Sequence, residues 1–301
     1  MQFRSKNDPL CFVYFVGYNG TIGGKHMKKI GLSSGIGQTL LVIALIVAAY
    51  FIGNLTAKVQ YLQKGAGASA EGTTAQQPAA PTVSLDTIKG LFDKNIIKFG
   101  DPKKSKLFLV EVADPSCPFC HIAAGKNPEL NNQSPQFKLV ADGGTYVAPI
   151  VEFKKLLDQG KAAYAYIYTP GHNNGEMAMK ALYCAQEKGK FWEAHDLLMS
   201  AKGYEIQNGT DASGNPTTGA IVKNDKTKSG DMANFLASAV DSAFMKSCLE
   251  SDKYDKRLVE DSQIAASIGV SGTPGFFVNT TNFAGAYSFT DMKSAVDAAL
   301  K

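Results

Sequence analysis

The sequence has little that would mark it as a nucleic-acid binder or a repeat protein. Its 31 Lys and Arg residues nearly balance its 27 Asp and Glu residues, which leaves a formal net charge of +4 over 301 residues. It has no dense basic stripe, so a nucleic acid is not an expected partner. No segment of it repeats. With 45% hydrophobic and 19% charged residues, it has the composition of an ordinary globular protein with a sizeable core.

Long apolar runs are also scarce, and one stands out. Residues 36–55, IGQTLLVIALIVAAYFIGNL, carry no charge and have about the twenty residues that a helix needs to cross a bilayer. Three lysines lie within residues 25–29, and the positive-inside rule then keeps the N-terminus in the cytoplasm. We therefore predict a cytoplasmic segment over residues 1–34, a transmembrane signal anchor over residues 35–56, and an exported remainder.

A cleaved signal peptide is the alternative for this segment. Val47-Ala48-Ala49 has the small residues of a cleavage site, although Tyr50 and the residues after it continue the apolar run. Both interpretations export the C-terminal part of the chain. Met27, which two lysines follow, has the features of a natural start, and a start there would remove Cys11.

Residues 57–84 are rich in Gly, Ala, Ser, Thr, Gln and Pro and have no apolar period, which predicts a flexible linker. A coil of this length reaches on the order of 30 Å. It has no room for a dimerisation domain, and we expect a monomer.

Residues 85–301 predict one α/β domain. Apolar runs at 106–113 and 162–169 are typical of buried strands, and a segment with helical spacing lies between them. Further along we predict helices with a break at Gly189, a loop over 203–228, helices over 231–266, a strand over 275–279 with a hairpin partner at 283–288, and a helix over 290–300. This order predicts a thioredoxin-like fold with a helical insertion over about residues 172–268.

Two of the five cysteines stand together in the stretch ADPSCPFCHIAA, residues 113–124. Cys117 follows a predicted strand and starts a predicted helix, where unpaired N–H groups favour a thiolate. Pro118 suits the first helical turn, because its missing N–H costs nothing there. Cys120 lies one turn further on and can close a ring back to Cys117. We therefore assign Cys117 as the attacking sulfur and Cys120 as the resolving one, and we expect Pro118 and Phe119 to contact substrate.

Other interpretations of this pair stay open. A zinc site needs about four ligands, but the sequence has no second CxxC motif and no paired histidines. A copper site would use Cys117, Cys120 and His121. A purely structural disulfide is disfavoured, because so short a loop stabilises little. The sequence therefore predicts no metal, and no cofactor beyond a redox-active Cys117–Cys120 disulfide.

Four segments, VEVADPSCPFC, ALYCAQEKGKFWEAHDLL, SCLESDKYDKRLVED and GVSGTPGFFVN, resemble in this order the DsbA-like branch of the thioredoxin superfamily. That branch comprises exported thiol–disulfide oxidoreductases with a helical insertion, and the resemblance extends over residues 84–301. It implies that Thr273-Pro274 is a cis-proline loop that faces Cys117 and offers backbone groups to an extended substrate. Proline chemistry alone indicates only the start of a strand there.

The resemblance also implies a role for Glu111, and the residues themselves suggest roles for two histidines. Glu111 matches an acidic residue that could relay a proton to or from Cys120, and a solvated strand residue is the alternative. His121 either stabilises the Cys117 thiolate by its charge or is an exposed helix residue. For His195, on a later helix, we expect a packed structural role.

Cys184 and Cys248 match positions that some family members bridge. In an exported domain we expect them to form a structural disulfide, and two buried free thiols are the alternative. Two departures from the family are evident: the classical oxidase has His where this chain has Phe119, and the segment between Cys120 and the second strand is longer than usual. The redox potential of the family therefore cannot be transferred to this chain.

From these observations we predict a membrane-tethered, outward-facing oxidoreductase that donates the Cys117–Cys120 disulfide to exported cysteine-containing proteins. A quinone-linked membrane thiol oxidase would reoxidise it. A reductase or isomerase, including one that serves cytochrome maturation, is the second hypothesis. A non-catalytic binding or chaperone module is the third.

Overall fold

A computed structural model describes residues 83–301. The predicted cytoplasmic segment, the predicted anchor and nearly all of the predicted linker lie outside the described residues, and so does Cys11. Within residues 83–301, no helix is both long enough and apolar enough to cross a membrane.

The domain is built on five strands and a larger number of short helices. The strands are β1 (Ile97–Phe99), β2 (Leu107–Ala113), β3 (Ala162–Tyr168), β4 (Gly275–Val278) and β5 (Thr281–Ala284). The α-helices are α1 (Leu85–Leu91), α2 (Pro118–Ala124), α3 (Pro128–Asn132), α4 (Pro149–Asp158), α5 (Glu176–Glu187), α6 (Phe191–Leu198), α7 (Ala201–Asn208), α8 (Ser229–Phe235), α9 (Ser242–Glu250), α10 (Asp255–Ser267) and α11 (Phe289–Leu300).

The strands form one sheet in the order β1-β3-β2-β4-β5. β2 and β3 are parallel, with Glu111 opposite Tyr166, and the other neighbours are antiparallel. A parallel pair needs a crossover, and the segment from α2 to α4 supplies it. A βαβ unit followed by a β-hairpin and a helix is the thioredoxin-like arrangement, so the predicted fold is confirmed.

Both faces of the central strands are buried, which explains why β2 and β3 read as near-continuous apolar runs. One face packs on α1 and the end of α10, and the other packs on α4, α11 and the inserted helices. Side chains of β2 and β3 on the first face are Phe108, Val110, Val112, Ala163, Ala165 and Ile167. Those on the second face include Leu107, Leu109, Tyr164, Tyr166 and Tyr168.

The helical insertion lies between β3 and β4, as predicted. The expected break at Gly189 is present, because α5 ends at Glu187 and α6 begins at Phe191. A disulfide joins Cys184 on α5 to Cys248 on α9, with their Cα atoms 6.1 Å apart. It therefore ties two helices that lie far apart in the sequence.

Two strands are absent from the sequence prediction or misplaced in it. Strand β1 was not predicted, because three residues are too few to show an alternation of apolar and polar side chains. Its pairing with β3 arises only in the tertiary fold. The partner of β4 begins at Thr281, two residues earlier than predicted. Asn279 has a φ of 50°, so the chain reverses within a two-residue turn between Val278 and Thr281.

The predicted loop over 203–228 is wrong for its first six residues, which belong to helix α7. The Ser200 side chain caps this helix by accepting the N–H of Gly203 at 3.0 Å. Gly203 weakens the helical pattern in the sequence, but the packing requires it. A Cβ atom at this position would lie 2.1 Å from the carbonyl oxygen of Leu198.

Candidate active site

The predicted cysteine pair lies where β2 passes into α2. Cys117 is the N-cap of α2 in an extended conformation, and Pro118 occupies the first helical turn. The Cys120 N–H donates to the carbonyl oxygen of Cys117 at 3.0 Å, which places the two residues one turn apart. Both are free cysteines in this structure, Cys117 almost buried and Cys120 fully buried.

The loop before β4 closes over this pair. The Thr273-Pro274 peptide bond is cis, and the Cys117 thiol donates to the Thr273 carbonyl oxygen at 3.4 Å. Cys117 and Thr273 are 156 residues apart in the sequence. The structure therefore brings together the predicted cysteine pair and the predicted proline loop.

The two sulfurs have opposite acidities. The hydrogen bond from Cys120 is the largest effect on Cys117, and the Thr273 side chain and the backbone N–H groups of Cys120 and Phe119 add to it. Together they outweigh the cost of burial and lower the pKa of Cys117 to about 6. Burial, the neighbouring Cys117 and the charge of Glu111 raise the pKa of Cys120 well above its ordinary value. At neutral pH the site therefore holds a thiolate on Cys117 and a thiol on Cys120.

Glu111 is buried on β2 beneath the cysteines, so the alternative of a solvated strand residue is wrong. Burial raises its pKa to about 7, against the opposing charge of His195 and a hydrogen bond donated by the Tyr164 hydroxyl. A carboxyl group with this pKa can be either protonated or ionised near neutral pH. It is therefore suited to exchange a proton with Cys120, and this role stays a prediction.

Replacing Glu111 by Gln is expected to stabilise the protein above neutral pH. The folded state holds the Glu111 proton up to about pH 7, whereas the unfolded state loses it near 4.5, so native stability falls as pH rises between these values. Gln removes this penalty, and the gain should approach about 3 kcal/mol at pH 8.

Urea unfolding at pH 4 and pH 8 measures this effect, with the active-site cysteines in the same redox state in both proteins. The Gln variant should match the native protein at pH 4 and exceed it at pH 8. An equal difference at both pH values would contradict a buried, proton-bearing Glu111.

His121 is not the exposed helix residue that one alternative predicted, because it is fully buried. Its Nδ1 lies 2.9 Å from the Met199 carbonyl oxygen and its Nε2 lies 2.9 Å from the Pro115 carbonyl oxygen. Burial lowers its pKa to about 4, although both carbonyl groups favour the charged form. Its ring nitrogens are thus occupied by backbone groups, and its predicted action on the Cys117 thiolate stays a prediction.

The rim of the site is aromatic. Phe119, between the two cysteines, is 48% exposed, and its ring lies 5.9 Å from that of Phe137 in the long segment after α3. A cavity of about 310 Å³ borders Phe137 and Tyr146, and a second of about 290 Å³ borders the Thr273-Pro274 loop. Both cavities are lined by Gly285 and Ala284, so they adjoin each other beside the proline loop.

The sequence interpretation missed one residue at the site, Asp114. It is fully buried at the end of β2, and its carboxylate accepts the N–H and the hydroxyl of Ser116 at 2.8 and 2.7 Å. It also accepts the N–H groups of Gly171 and His172 at 2.8 and 2.7 Å. The Asp-Pro-Ser sequence is a signal for a local turn of this kind, but it does not reveal the partners from the next loop.

His195 has the packed position that we predicted. It is buried, and its ring stacks on that of Phe191 with the centroids 5.6 Å apart. Its charge lowers the pKa of Glu111, so it belongs to the surroundings of the buried carboxyl.

Within residues 83–301, one cluster has three metal-ligating side chains close together: Cys184, Glu187 and Cys248. Both sulfurs of that cluster are joined in the disulfide, so they are not available to a metal ion. The hypothetical copper site finds no support in the geometry, because both nitrogens of His121 face carbonyl oxygens.

Parts of this chain are similar to known proteins. A family model described as Thioredoxin matches residues 150–298, downstream of the cysteine pair. The Na(+)/H(+) antiporter NhaA 3 of Salinispora tropica is 25% identical over 299 residues, which cover 93% of this chain and 38% of that protein. The chain thus spans well under half the length of this curated relative.

Two solved structures are similar at low identity. BdbD from Bacillus subtilis is 15% identical with a TM-score of 0.48, and the match covers 73% of this chain and 97% of that one. Alpha-DsbA1 from Wolbachia pipientis is 19% identical with a TM-score of 0.48, and the match covers 68% of this chain and 91% of that one.

The fold and the site together combine three features. A thioredoxin-like sheet with an inserted helical block carries a CxxC pair at the start of a helix, and a cis-proline loop touches the first cysteine. The described domain therefore has a thioredoxin-like fold that carries a CxxC pair beside a cis-proline loop, an arrangement suited to thiol–disulfide exchange.

Proposed function

We propose that this protein donates the Cys117–Cys120 disulfide to exported proteins by thiol–disulfide exchange. The observation that carries this proposal is the opposite acidity of the two sulfurs, with the pKa of Cys117 lowered to about 6 and that of Cys120 raised. A stabilised Cys117 thiolate favours the reduced form of the pair. The oxidised form is then a strong disulfide donor.

The exchange proceeds in two steps. A substrate thiolate attacks Cys117 Sγ in the disulfide, and the Cys117–Cys120 bond breaks. Cys120 leaves as a thiolate and takes a proton, for which we propose the buried Glu111 carboxyl, whose charge acts on Cys120, as the donor. A second substrate thiolate then attacks the substrate sulfur of the mixed disulfide and releases the Cys117 thiolate. Two electrons pass from the substrate to the enzyme, and no cofactor takes part.

The surroundings of the pair fit an extended polypeptide substrate. Phe119 follows Cys117 by two residues and is exposed, and the Thr273-Pro274 loop contacts Cys117 through the Thr273 carbonyl oxygen. We propose that Pro118, Phe119, Thr273 and Pro274 contact the substrate, with backbone groups of the loop aligning it. The two adjoining cavities beside Gly285 extend this surface.

We further propose that the domain works on the outer side of the membrane, held by the predicted helix over residues 35–56. The disulfide between Cys184 and Cys248 supports an oxidising compartment. The proposed partners are exported proteins with cysteines, and a quinone-linked membrane thiol oxidase that restores the disulfide. We propose a monomer.

The test of direction is the equilibrium reduction potential of the Cys117–Cys120 couple in the purified full chain, with Cys184 and Cys248 in place. A value near about −120 mV marks a strong oxidant and supports disulfide donation. A value near about −270 mV marks a reductant and would overturn the proposed direction. A chain with no exchangeable couple would support the binding-module hypothesis instead.

A further inference from the structure

Asp114 stands apart from the other buried acids near the site, because all of its acceptor capacity is used by two loops. One oxygen accepts the N–H and the hydroxyl of Ser116, which directly precedes Cys117. The other accepts the N–H groups of Gly171 and His172, which follow β3. The carboxylate thus joins the loop that holds Cys117 to a loop 57 residues further along the chain. A neutral amide could not accept all four of these donors.

The second of these loops packs against the cis-proline loop. A Cβ atom on Gly171 would lie 2.0 Å from the hydroxyl oxygen of Thr273 and 3.2 Å from its Cβ atom. The backbone of Gly171 therefore abuts the Thr273 side chain directly and leaves it no room to turn in that direction. Within residues 83–301 the Thr273 hydroxyl has no hydrogen-bond partner other than the Cys117 sulfur, whose thiolate form it favours.

These contacts close a ring. The Thr273 carbonyl oxygen lies 3.4 Å from the Cys117 sulfur, and Cys117 directly follows Ser116. The Asp114 carboxylate accepts hydrogen bonds from both Ser116 and Gly171. Gly171 in turn packs against the Thr273 side chain, which completes the ring. We propose that Asp114 is a positioning residue that fixes the Thr273 loop against Cys117 through the backbone of Gly171. Its backbone acts on the Cys120 sulfur, but its carboxylate contacts only Ser116, Gly171 and His172, so the carboxylate acts on Cys117 through Thr273. This inference deepens the proposed function and rests on it.

The expected effect is on the acidity of Cys117. The groups that face Cys117 are Cys120 and the N–H groups of α2, the Thr273 side chain from the proline loop, and Tyr204 from α7. The Thr273 side chain contributes to the lowered pKa of Cys117. If Asp114 no longer fixes Gly171, the Thr273 side chain can move away from Cys117. It then lowers the pKa of Cys117 less, so that pKa rises.

The test is the pH dependence of alkylation of Cys117 by iodoacetamide in the reduced full chain, read from the Cys117 peptide by mass spectrometry. In the native protein the midpoint should lie near 6. In Asp114→Asn, an amide NH2 group replaces one of the two carboxylate oxygens and therefore faces two donors from which it cannot accept. The midpoint of Cys117 alkylation should then rise by roughly half a pH unit or more. Gly171→Ala places a methyl group against Thr273 and should raise the midpoint while leaving Asp114 intact, so it serves if Asp114→Asn fails to fold.

The matched control is Asp261→Asn. Asp261 is equally buried and accepts a backbone N–H from Tyr168 and the Tyr183 hydroxyl, but it contacts neither loop of the ring. It should leave the Cys117 midpoint unchanged even if it alters stability. Combining Asp114→Asn with Thr273→Val should give no more than the shift of Thr273→Val alone, because the Asp114 effect passes through the Thr273 hydroxyl.

Two outcomes would overturn the assignment. One is a folded Asp114→Asn or Gly171→Ala variant with the native midpoint. The other is an Asp114→Asn shift that persists in full in the Thr273→Val background. Neither depends on activity towards a protein substrate. A native midpoint near the ordinary value of about 8.5 would instead remove the chemical basis of the proposed function itself.

Discussion

Replacing Cys117 by Ala is expected to abolish disulfide transfer, with a loss of at least roughly 10³-fold in rate, because the acidic sulfur that substrate attacks is gone. Replacing Cys120 by Ala should act differently. The Cys117 thiolate of that variant can still attack a disulfide of an oxidised substrate, which breaks the substrate disulfide and forms a mixed disulfide, but the chain then has no Cys120 thiol to resolve it. The Cys120→Ala variant should therefore accumulate a covalent adduct, whereas the Cys117→Ala variant should form none.

Oxidation of a reduced, unfolded test protein by the oxidised native enzyme, compared with each variant, measures transfer. Each reduced single variant is also mixed with the disulfide-bonded test protein, and adducts are read from intact mass after acid quenching. A Cys184→Ala/Cys248→Ala double variant is the control, because these sulfurs lie in the insertion and are joined to each other. It should retain the transfer. Adducts on Cys120 in the Cys117→Ala variant would reverse the roles of the two sulfurs, and full activity in both single variants would favour a non-catalytic module.

Removing the insertion disulfide by the Cys184→Ala/Cys248→Ala change should lower the free energy of unfolding by about 4 kcal/mol on the chain-entropy model. The bond joins residues 64 apart in the sequence, so it restricts a long loop of the unfolded chain. Both cysteines are buried between α5 and α9, so Ala also removes some packing. The loss should destabilise the inserted helices first, because the bond links two of them.

Urea unfolding with linear extrapolation measures this effect, and far-UV circular dichroism reports the inserted helices. Reducing the disulfide in the native protein should reproduce most of the loss, which separates the cross-link from the change of side chain. A loss below about 1 kcal/mol in both experiments would show that the cross-link contributes little, as measured disulfides sometimes do.

The active-site pair could be located from the sequence because its signals are local. An apolar run predicts β2, and a proline directly after Cys117 predicts the first turn of α2, so the strand–helix junction is encoded in about a dozen residues. The capped ends of α1 and α11 are local signals too, with Ser84 and Ser288 as the caps. Glu111 could be expected to be buried, since its neighbours on β2 are apolar.

Partners from distant segments could not be predicted in this way. His121 lies in a helix that the sequence predicts, but the Met199 carbonyl oxygen that contacts its ring is 78 residues away in the sequence. Asp114 offers an evident turn signal, yet two of its four donors come from a loop beyond β3. β1 is too short to show a period and exists as a strand because β3 offers it an open edge.

Apart from β1 and α7, the sequence by itself determined the order of the main strands and helices, the insertion and the position of the cysteine pair, because periodicity, caps and proline act within a few residues. Only the tertiary structure decided the chemistry of the site. Three features arise where segments far apart in the chain pack together and exclude water. They are the contact between Cys117 and Thr273, the buried environment that raises the pKa of Glu111, and the hydrogen bonds that Asp114 accepts from the loop after β3. Burial and long-range hydrogen bonds depend on the assembled fold, and no local pattern specifies them.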